Sequence, residues 1–390
     1  MKHFKKSNRL LKTRMVASVC VLIAISTQSV IADEANIQPK IYNGEKTTIQ
    51  ENPYMVALLH SNEADTYQAQ FCGGTLIAKN WVLTAAHCVF DKVAGHVKAT
   101  NTIDILVNRS DLSSTVGERI ATENIIVHQS YNAQTHDNDI ALIQLKSPAN
   151  ATPIELLSEF SDQDGMGNNG KALGWGVTYE HFSATFNDYY GDYVDDVAFT
   201  HSLQKASLPI INNATCQSAI NYLGRNLTNN MMCAGFEDGR KDVCHGDSGG
   251  PLVVYDAASN TWRQVGITSW GHPYCSGNGT YGVYTRVKNY KNYISDRICS
   301  AEEKPAVPTL QTTITGALVE LNWSMSDRET TYQIIYSRHG AADWHSLDMD
   351  HQTRFSITLP VGSDYDVKIN ANKGNCESYG ELNVGRVQIL

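Results

Sequence analysis

The chain has 390 residues, room for two or three domains, with 42% hydrophobic residues and a formal net charge of −9. That acidic balance argues against nucleic acid or an anionic membrane surface as the main partner. Nine cysteines in a chain with an export-type leader point to disulfides and not to reduced cytosolic thiols.

The leader is residues 1–32. Positions 2–14 carry six basic residues and no acid, followed by an apolar run at 15–25 and the small-residue cleavage context Val30-Ile31-Ala32. This reads as a secretory signal, and no other stretch approaches the roughly 20 apolar residues of a membrane span. Its removal takes the net charge from −9 to about −15 and discards Cys20, leaving an even number of cysteines. Connectivity cannot be read from their spacing. A metal site is disfavoured, because no Cys-x-x-Cys or His-x-x-x-His spacing occurs. Residues 33–40 are a short polar segment ending Pro39-Lys40, ahead of Ile41-Tyr42-Asn43-Gly44.

From 54 to 139 the pattern is short apolar segments broken by turns, at 54–60, 71–77, 81–84, 103–107 and 120–128. None has a 3.6-residue period, which predicts an antiparallel barrel. His87 follows one such strand inside Leu83-Thr84-Ala85-Ala86-His87-Cys88. Asp139 precedes the apolar Ile140-Ala141-Leu142-Ile143, a position that predicts a partly buried carboxylate at a strand start. A second barrel begins near 172–176. Between Lys171 and Lys205 there is no Lys or Arg, while Asp188, Tyr189, Tyr190, Asp192, Tyr193, Asp195 and Asp196 crowd together. This reads either as a solvated loop tip or as an acidic rim that selects basic substrates.

The stretch Asp242-Val243-Cys244-His245-Gly246-Asp247-Ser248-Gly249-Gly250-Pro251 is the chemical centre. A serine hydroxyl is a poor nucleophile unless a base takes its proton and nearby donors hold the resulting oxyanion. Gly246 lets the backbone bend, Gly249 and Gly250 remove bulk, and Pro251 leads into an apolar strand. Strands at 262–270 and 282–287 and a helix at 288–298 follow. Residues 300–308, polar with two prolines, form a linker. Beyond it Val319, Leu321 and Trp323 alternate with polar residues. So do Tyr332, Ile334 and Tyr336, then Phe355, Ile357 and Leu359, then Tyr365, Val367 and Ile369. Period-two alternation in about seven short segments predicts a β-sandwich over 309–390.

His87, Asp139 and Ser248, each in its flanking motif and in that chain order, give residues 41–299 a close resemblance to trypsin-like members of the chymotrypsin family of serine proteases. The resemblance implies an all-β fold of two antiparallel six-stranded barrels, with the sandwich appended. It makes Ser248 the nucleophile, His87 the proton shuttle and Asp139 its orienter, with the N–H groups of Gly246 and Ser248 as oxyanion hole. It implies a secreted zymogen cut by another protease after Lys40, whose new Ile41 amine pairs with Asp247. Tyr42-Asn43-Gly44 departs from the usual Val-Gly-Gly there.

The same resemblance places Asp242 at the floor of a specificity pocket for Arg or Lys. Gly271 and Gly282 form its walls, and Ser269-Trp270-Gly271 offers backbone to an extended substrate. It implies the disulfides Cys72–Cys88, Cys216–Cys233 and Cys244–Cys275, leaving Cys299 and Cys376 for each other. Val243 stands where trypsins often carry Ser, and Tyr281 where an aromatic goes with sodium binding in related proteases. Calcium is disfavoured because Arg109 falls near a Glu of calcium-binding trypsins; no cofactor is expected. The C-terminal segment resembles immunoglobulin and fibronectin type III domains, with Leu359-Pro360 and Tyr365 suggesting a tyrosine corner. Two competing readings are a catalytically idle binding homologue and an adhesion protein acting through the C-terminal module. The first is weakened because no triad member or pocket glycine is missing.

Overall fold

The computed structural model describes residues 41 and 43–389, apart from 160, 188–191, 258, 273–274, 276, 342 and 380–384. For 178–187 and 192–199 it describes the backbone only. The leader, Lys40, Tyr42 and the side chains of the 188–196 acidic window therefore lie outside the described residues.

Six strands close into a first barrel, in the order Met55–His60, Gln70–Ala78, Trp81–Thr84, Ala141–Leu145, Glu118–Val127 and Ile103–Val107. The five residues from Met55 to Leu59 are all buried, and Val82 faces Ile143 across the Trp81–Thr84 pairing. Six more strands close a second barrel. Its order is Gln204–Ile211, Asn169–Gly174, Pro251–Asp256, Thr261–Trp270, Gly282–Arg286 and Met231–Ala234, the last pairing back to the first. Both barrels are antiparallel throughout. Closure leaves few edges exposed, a property the short apolar strands require. Glu155–Leu156 adds to Thr261–Trp270 in parallel and carries the chain between the barrels.

The window expected as a loop is built differently. Val177–Asn187 and Asp192–Phe199 pair as an antiparallel hairpin with three register shifts. Its density of Val, Phe, Tyr and Thr favours strand over open loop. Helix is confined to short pieces: Asn213–Ile220, capped by the Asn212 side chain accepting from Thr215 N at 2.7 Å, and Lys291–Ile298 are the longest described. No helix among the described residues is long and apolar enough to cross a membrane.

C-terminally, the three strands Leu310–Thr315, Leu318–Trp323 and Arg354–Thr358 form one sheet. Thr331–Arg338, His345–Asp350, Asp364–Lys373, Cys376–Tyr379 and Gly385–Gln388 form a second. They share one core, with Val319, Leu321 and Trp323 meeting Tyr332, Ile334, Val367 and Ile369. The alternation fails at the rim, where Tyr336 is 36% and Ile357 39% exposed. No tyrosine corner forms: Tyr365 packs edge-on against Tyr336, and its hydroxyl makes no hydrogen bond among the described residues.

The module is tied to the protease body covalently and by polar contacts. Cys299 is bonded to Cys376. Next to Cys376 in the chain, Asn375 accepts from Leu156 N and donates to the carbonyls of Ile77 and Ile154, each at 2.8 Å. One side chain thus satisfies three buried backbone groups where the barrels meet.

Candidate active site

Asp139 is fully buried at the end of the turn that precedes Ala141–Leu145. Its Oδ2 lies 2.7 Å from His87 Nδ1, and its Oδ1 accepts from the His87 backbone N–H at 2.9 Å. The Ser269 hydroxyl donates to Oδ2 at 2.5 Å, and Thr285 Oγ1 donates to the Asp139 carbonyl at 2.8 Å. Burial alone would raise this carboxyl's pKa. The charge of His87 and the bonds from His136, His87 and Ser269 outweigh it and hold the group ionised well below the usual range. An ionised partner on Nδ1 leaves Nε2 as the basic nitrogen of His87.

His136 was not singled out in the sequence. It stands 3.6 Å from the same Oδ2, with its ring 5.5 Å from that of His87. Its place in Thr135-His136-Asp137-Asn138-Asp139, three residues before the carboxylate, is the signal that could have found it. His136 and Asn138 both hold left-handed backbone (φ 60° and 54°), which folds this turn back on itself. The three groups His87, His136 and Asp139 offer ligand-type atoms within 4.8 Å of one another, close enough to hold a metal ion. One of them is the Nδ1 already bonded to Asp139.

Ser248 lines a cavity of about 240 Å³ shared with Asp242, Val243, Ser269, Gly271 and Gly282. Its hydroxyl makes no hydrogen bond to His87. The turn around it has Gly246 at φ 92° and Gly249 at φ 78°, left-handed positions that favour glycine. Asp247 N, Gly249 N and Gly250 N donate to the carbonyls of Cys244, Thr268 and Asp247. The N–H groups of Gly246 and Ser248 donate to no described residue, so two neighbouring donors remain available in one turn. Such a pair is what an oxyanion needs.

Asp242, which lines the cavity, is buried, and Val243 N donates to its Oδ1 at 2.8 Å. Burial pushes its pKa well above the usual value, and the nearby Asp247 adds to this. A cation entering the cavity would reverse that shift. A Cβ on Gly282 would sit 3.0 Å from Asp242 Oδ1, whereas one on Gly271 would meet its neighbours at ordinary contact distance. Gly282 therefore guards Asp242 more tightly. The Tyr281 side chain is buried in a separate cluster with Cys216 and Cys233.

Asp247 is buried behind the turn. Its Oδ1 accepts from Gly176 N at 2.8 Å and its Oδ2 from Cys244 N at 3.0 Å. A Cβ on Gly174 would lie 1.9 Å from Oδ1, so the carboxyl is seated where only glycine fits. Burial pushes its pKa up to about 7. Ile41 is fully buried in the core that includes Val243 and Leu252. Disulfides join Cys72 to Cys88, Cys216 to Cys233 and Cys244 to Cys275. The first staples the strand Gln70–Ala78 to the turn bearing His87; the third closes one side of the cavity. Arg109 is buried, its Nη1 donating to Thr66 Oγ1 at 3.0 Å and its Nε to the Val116 carbonyl.

Two closed β-barrels, a half-buried histidine bonded to a buried aspartate, and a serine that shares a cavity with a second buried aspartate define a serine endopeptidase. The Trypsin family's sequence profile matches residues 41–294, and the chain belongs to that family. It is 35% identical to a trypsin of Saccharopolyspora erythraea, over 66% of this chain and 98% of that protein. It is 31% identical to trypsin eta of Drosophila erecta, over 66% of this chain and 90% of that one. It is 34% identical to transmembrane protease serine 11C of Mus musculus, over 66% of this chain but 53% of that protein.

Proposed function

We propose that the chain is an exported zymogen whose activated form hydrolyses peptide bonds after Arg, and less readily after Lys. Ser248 Oγ attacks the scissile carbonyl carbon while His87 Nε2 takes its proton. His87 then hands that proton to the leaving amine as the C–N bond breaks, leaving an ester on Ser248. Water, deprotonated by His87, adds to that ester and releases the acid and the free hydroxyl. Asp139 fixes Nδ1–H and steadies the imidazolium, and Gly246 N–H and Ser248 N–H hold the oxyanion. The observation that carries the reading is that Ser269, whose hydroxyl donates to the Asp139 that holds His87, lines one cavity with Ser248 and the buried Asp242.

Residues 1–32 direct export and 33–40 are the propeptide; 41–299 form the protease, 300–308 the linker and 309–390 an immunoglobulin or fibronectin type III-like module. The order of its strands in two sheets supports that last reading. An activating protease cuts after Lys40. The freed Ile41 amine then supplies the positive partner that Asp247 lacks among the described residues, and burying a lone charge is costly. Peptides and proteins bearing Arg or Lys are the substrates, with Ser269, Gly271 and Gly282 receiving them. The test is covalent trapping: an organophosphonate applied to cleaved protein, mapped by mass spectrometry, labels Ser248 and does so poorly in uncleaved protein. Absence of label at Ser248 after cleavage overturns the proposal.

A further inference from the structure

The cleft that holds Ser248 and Asp242 also holds a cation that nothing in the chemistry above uses. Arg225 lines the same cavity, and its guanidinium carbon sits 4.9 Å from the centre of the Trp270 ring. It makes no ion pair and no side-chain hydrogen bond among the described residues. Its position is set by the chain around it: Gln217 Nε2 donates to the Arg225 carbonyl at 3.0 Å, and Gln217 Oε1 accepts from Leu227 N at 2.6 Å. Gly224, left-handed at φ 65°, turns the backbone just before it. The loop is therefore braced on both sides of a charge that points at the cleft.

An extended substrate laid along Ser269-Trp270-Gly271 sends alternate side chains to opposite sides. Counting back from the cleaved bond, the first side chain enters the Asp242 slot. The fourth lies on the same side as the second, about 7 Å further along, beside the stacked Trp270–Arg225 pair. A guanidinium presents a planar fork of donors that matches a carboxylate, and stacking on an indole holds the fork in place.

We propose that Arg225 makes this protease select Asp or Glu as the fourth residue before the cleaved bond. Its preferred peptides are then dipolar, acidic at the fourth position and cationic at the first. The inference rests on the reading that cleavage follows Arg. His136, His245 and His272 also line the cleft, and the Arg225→Gln variant separates their contribution from that of the guanidinium.

The experiment uses the full-length activated protein and four-residue fluorogenic peptides ending in Arg, with Glu, Ala or Lys at the fourth position, at pH 8. We expect kcat/KM to run Glu above Ala above Lys, about five-fold from Glu to Ala, the scale of one partly exposed charge pair. The preference shrinks as salt is raised. Arg225→Gln flattens the series and Arg225→Glu reverses it, each judged by the ratio of peptides within one variant. Equal rates for the three peptides, or a Glu preference surviving in Arg225→Gln, overturns the assignment of Arg225. Failure to cleave any of the three overturns the underlying Arg reading instead.

Discussion

Lys291 Nζ lies 2.8 Å from Glu377 Oε1, with the two side chains only 4% and 1% exposed. One belongs to the helix Lys291–Ile298 of the protease body and the other to the strand Cys376–Tyr379 of the C-terminal module. Glu377 N also donates to Ser295 Oγ at 3.1 Å. A buried pair of this kind is costly to break, because the survivor is left as an uncompensated charge. Glu377→Gln should destabilise the protein by about 3 kcal/mol or more. Replacing both partners, with Lys291→Met and Glu377→Leu, should recover much of that loss. Chemical denaturation of both variants beside the parent checks it; a loss within error for Glu377→Gln would mean the clamp rests on the Cys299–Cys376 bond and Asn375 alone.

Asp247 makes the stability of the uncleaved chain depend on pH. Its pKa is pushed up from 3.8 to about 7 by burial, so the folded chain binds the proton more tightly than the unfolded one. Stability is full below about pH 4, falls as pH rises toward 7, and levels off above. Roughly three units correspond to about 4 kcal/mol. Unfolding curves on Lys40→Gln protein should carry this slope, and the added Asp247→Asn should remove most of it. Equal slopes in the two would show that Asp247 is not the group responsible.

Seating the same carboxyl requires glycine at 174. Gly174→Ala would place a methyl 1.9 Å from Oδ1, and the carboxyl must move. Because the Asp247 turn carries the N–H of Ser248, hydrolysis should fall by about 100-fold or more, the scale of a lost oxyanion donor. The loss should be in kcat more than in KM. An alanine variant with parental kcat would show that the turn is set elsewhere.

The barrel strands and the turn around Ser248 were legible because their residues are local. Trp81–Thr84 and Ile103–Val107 fall where their apolar runs are, and the turn around Ser248 carries its glycines in sequence. What could not be read depends on distant partners. Asn375 reaches Ile77 and Ile154 from the other end of the chain, and Ser269 meets Asp139 across the two barrels. Alternation identifies the face of a strand but not how far the opposing sheet extends over it, which is why Tyr336 and Ile357 come out exposed. Val177–Asn187 and Asp192–Phe199 pair where a loop is expected, because their β-branched and aromatic residues favour strand despite the acids around them.

Arg and Lys should not be equal substrates. The ammonium is shorter and more strongly hydrated than the guanidinium, and needs oxygen acceptors around its head. Val243 lines the cavity next to Asp242 and offers only methyls. One ammonium donor left unsatisfied costs about 1–3 kcal/mol, a preference of roughly ten-fold for Arg. Val243→Ser should raise kcat/KM for Lys peptides selectively. An unchanged Arg-to-Lys ratio would show that Val243 does not set the choice.

The central claim is that Ser248, His87 and Asp242 act on one substrate in one cavity. A positional scan of tetrapeptide substrates on protein cleaved after Lys40 tests it most directly, run beside Ser248→Ala and Asp242→Ser. The account predicts hydrolysis after Arg, then Lys, with nothing measurable after apolar residues. Activity should be abolished by Ser248→Ala, and its Arg preference lost in Asp242→Ser. Hydrolysis that survives Ser248→Ala, or an Arg preference that survives Asp242→Ser, would contradict it.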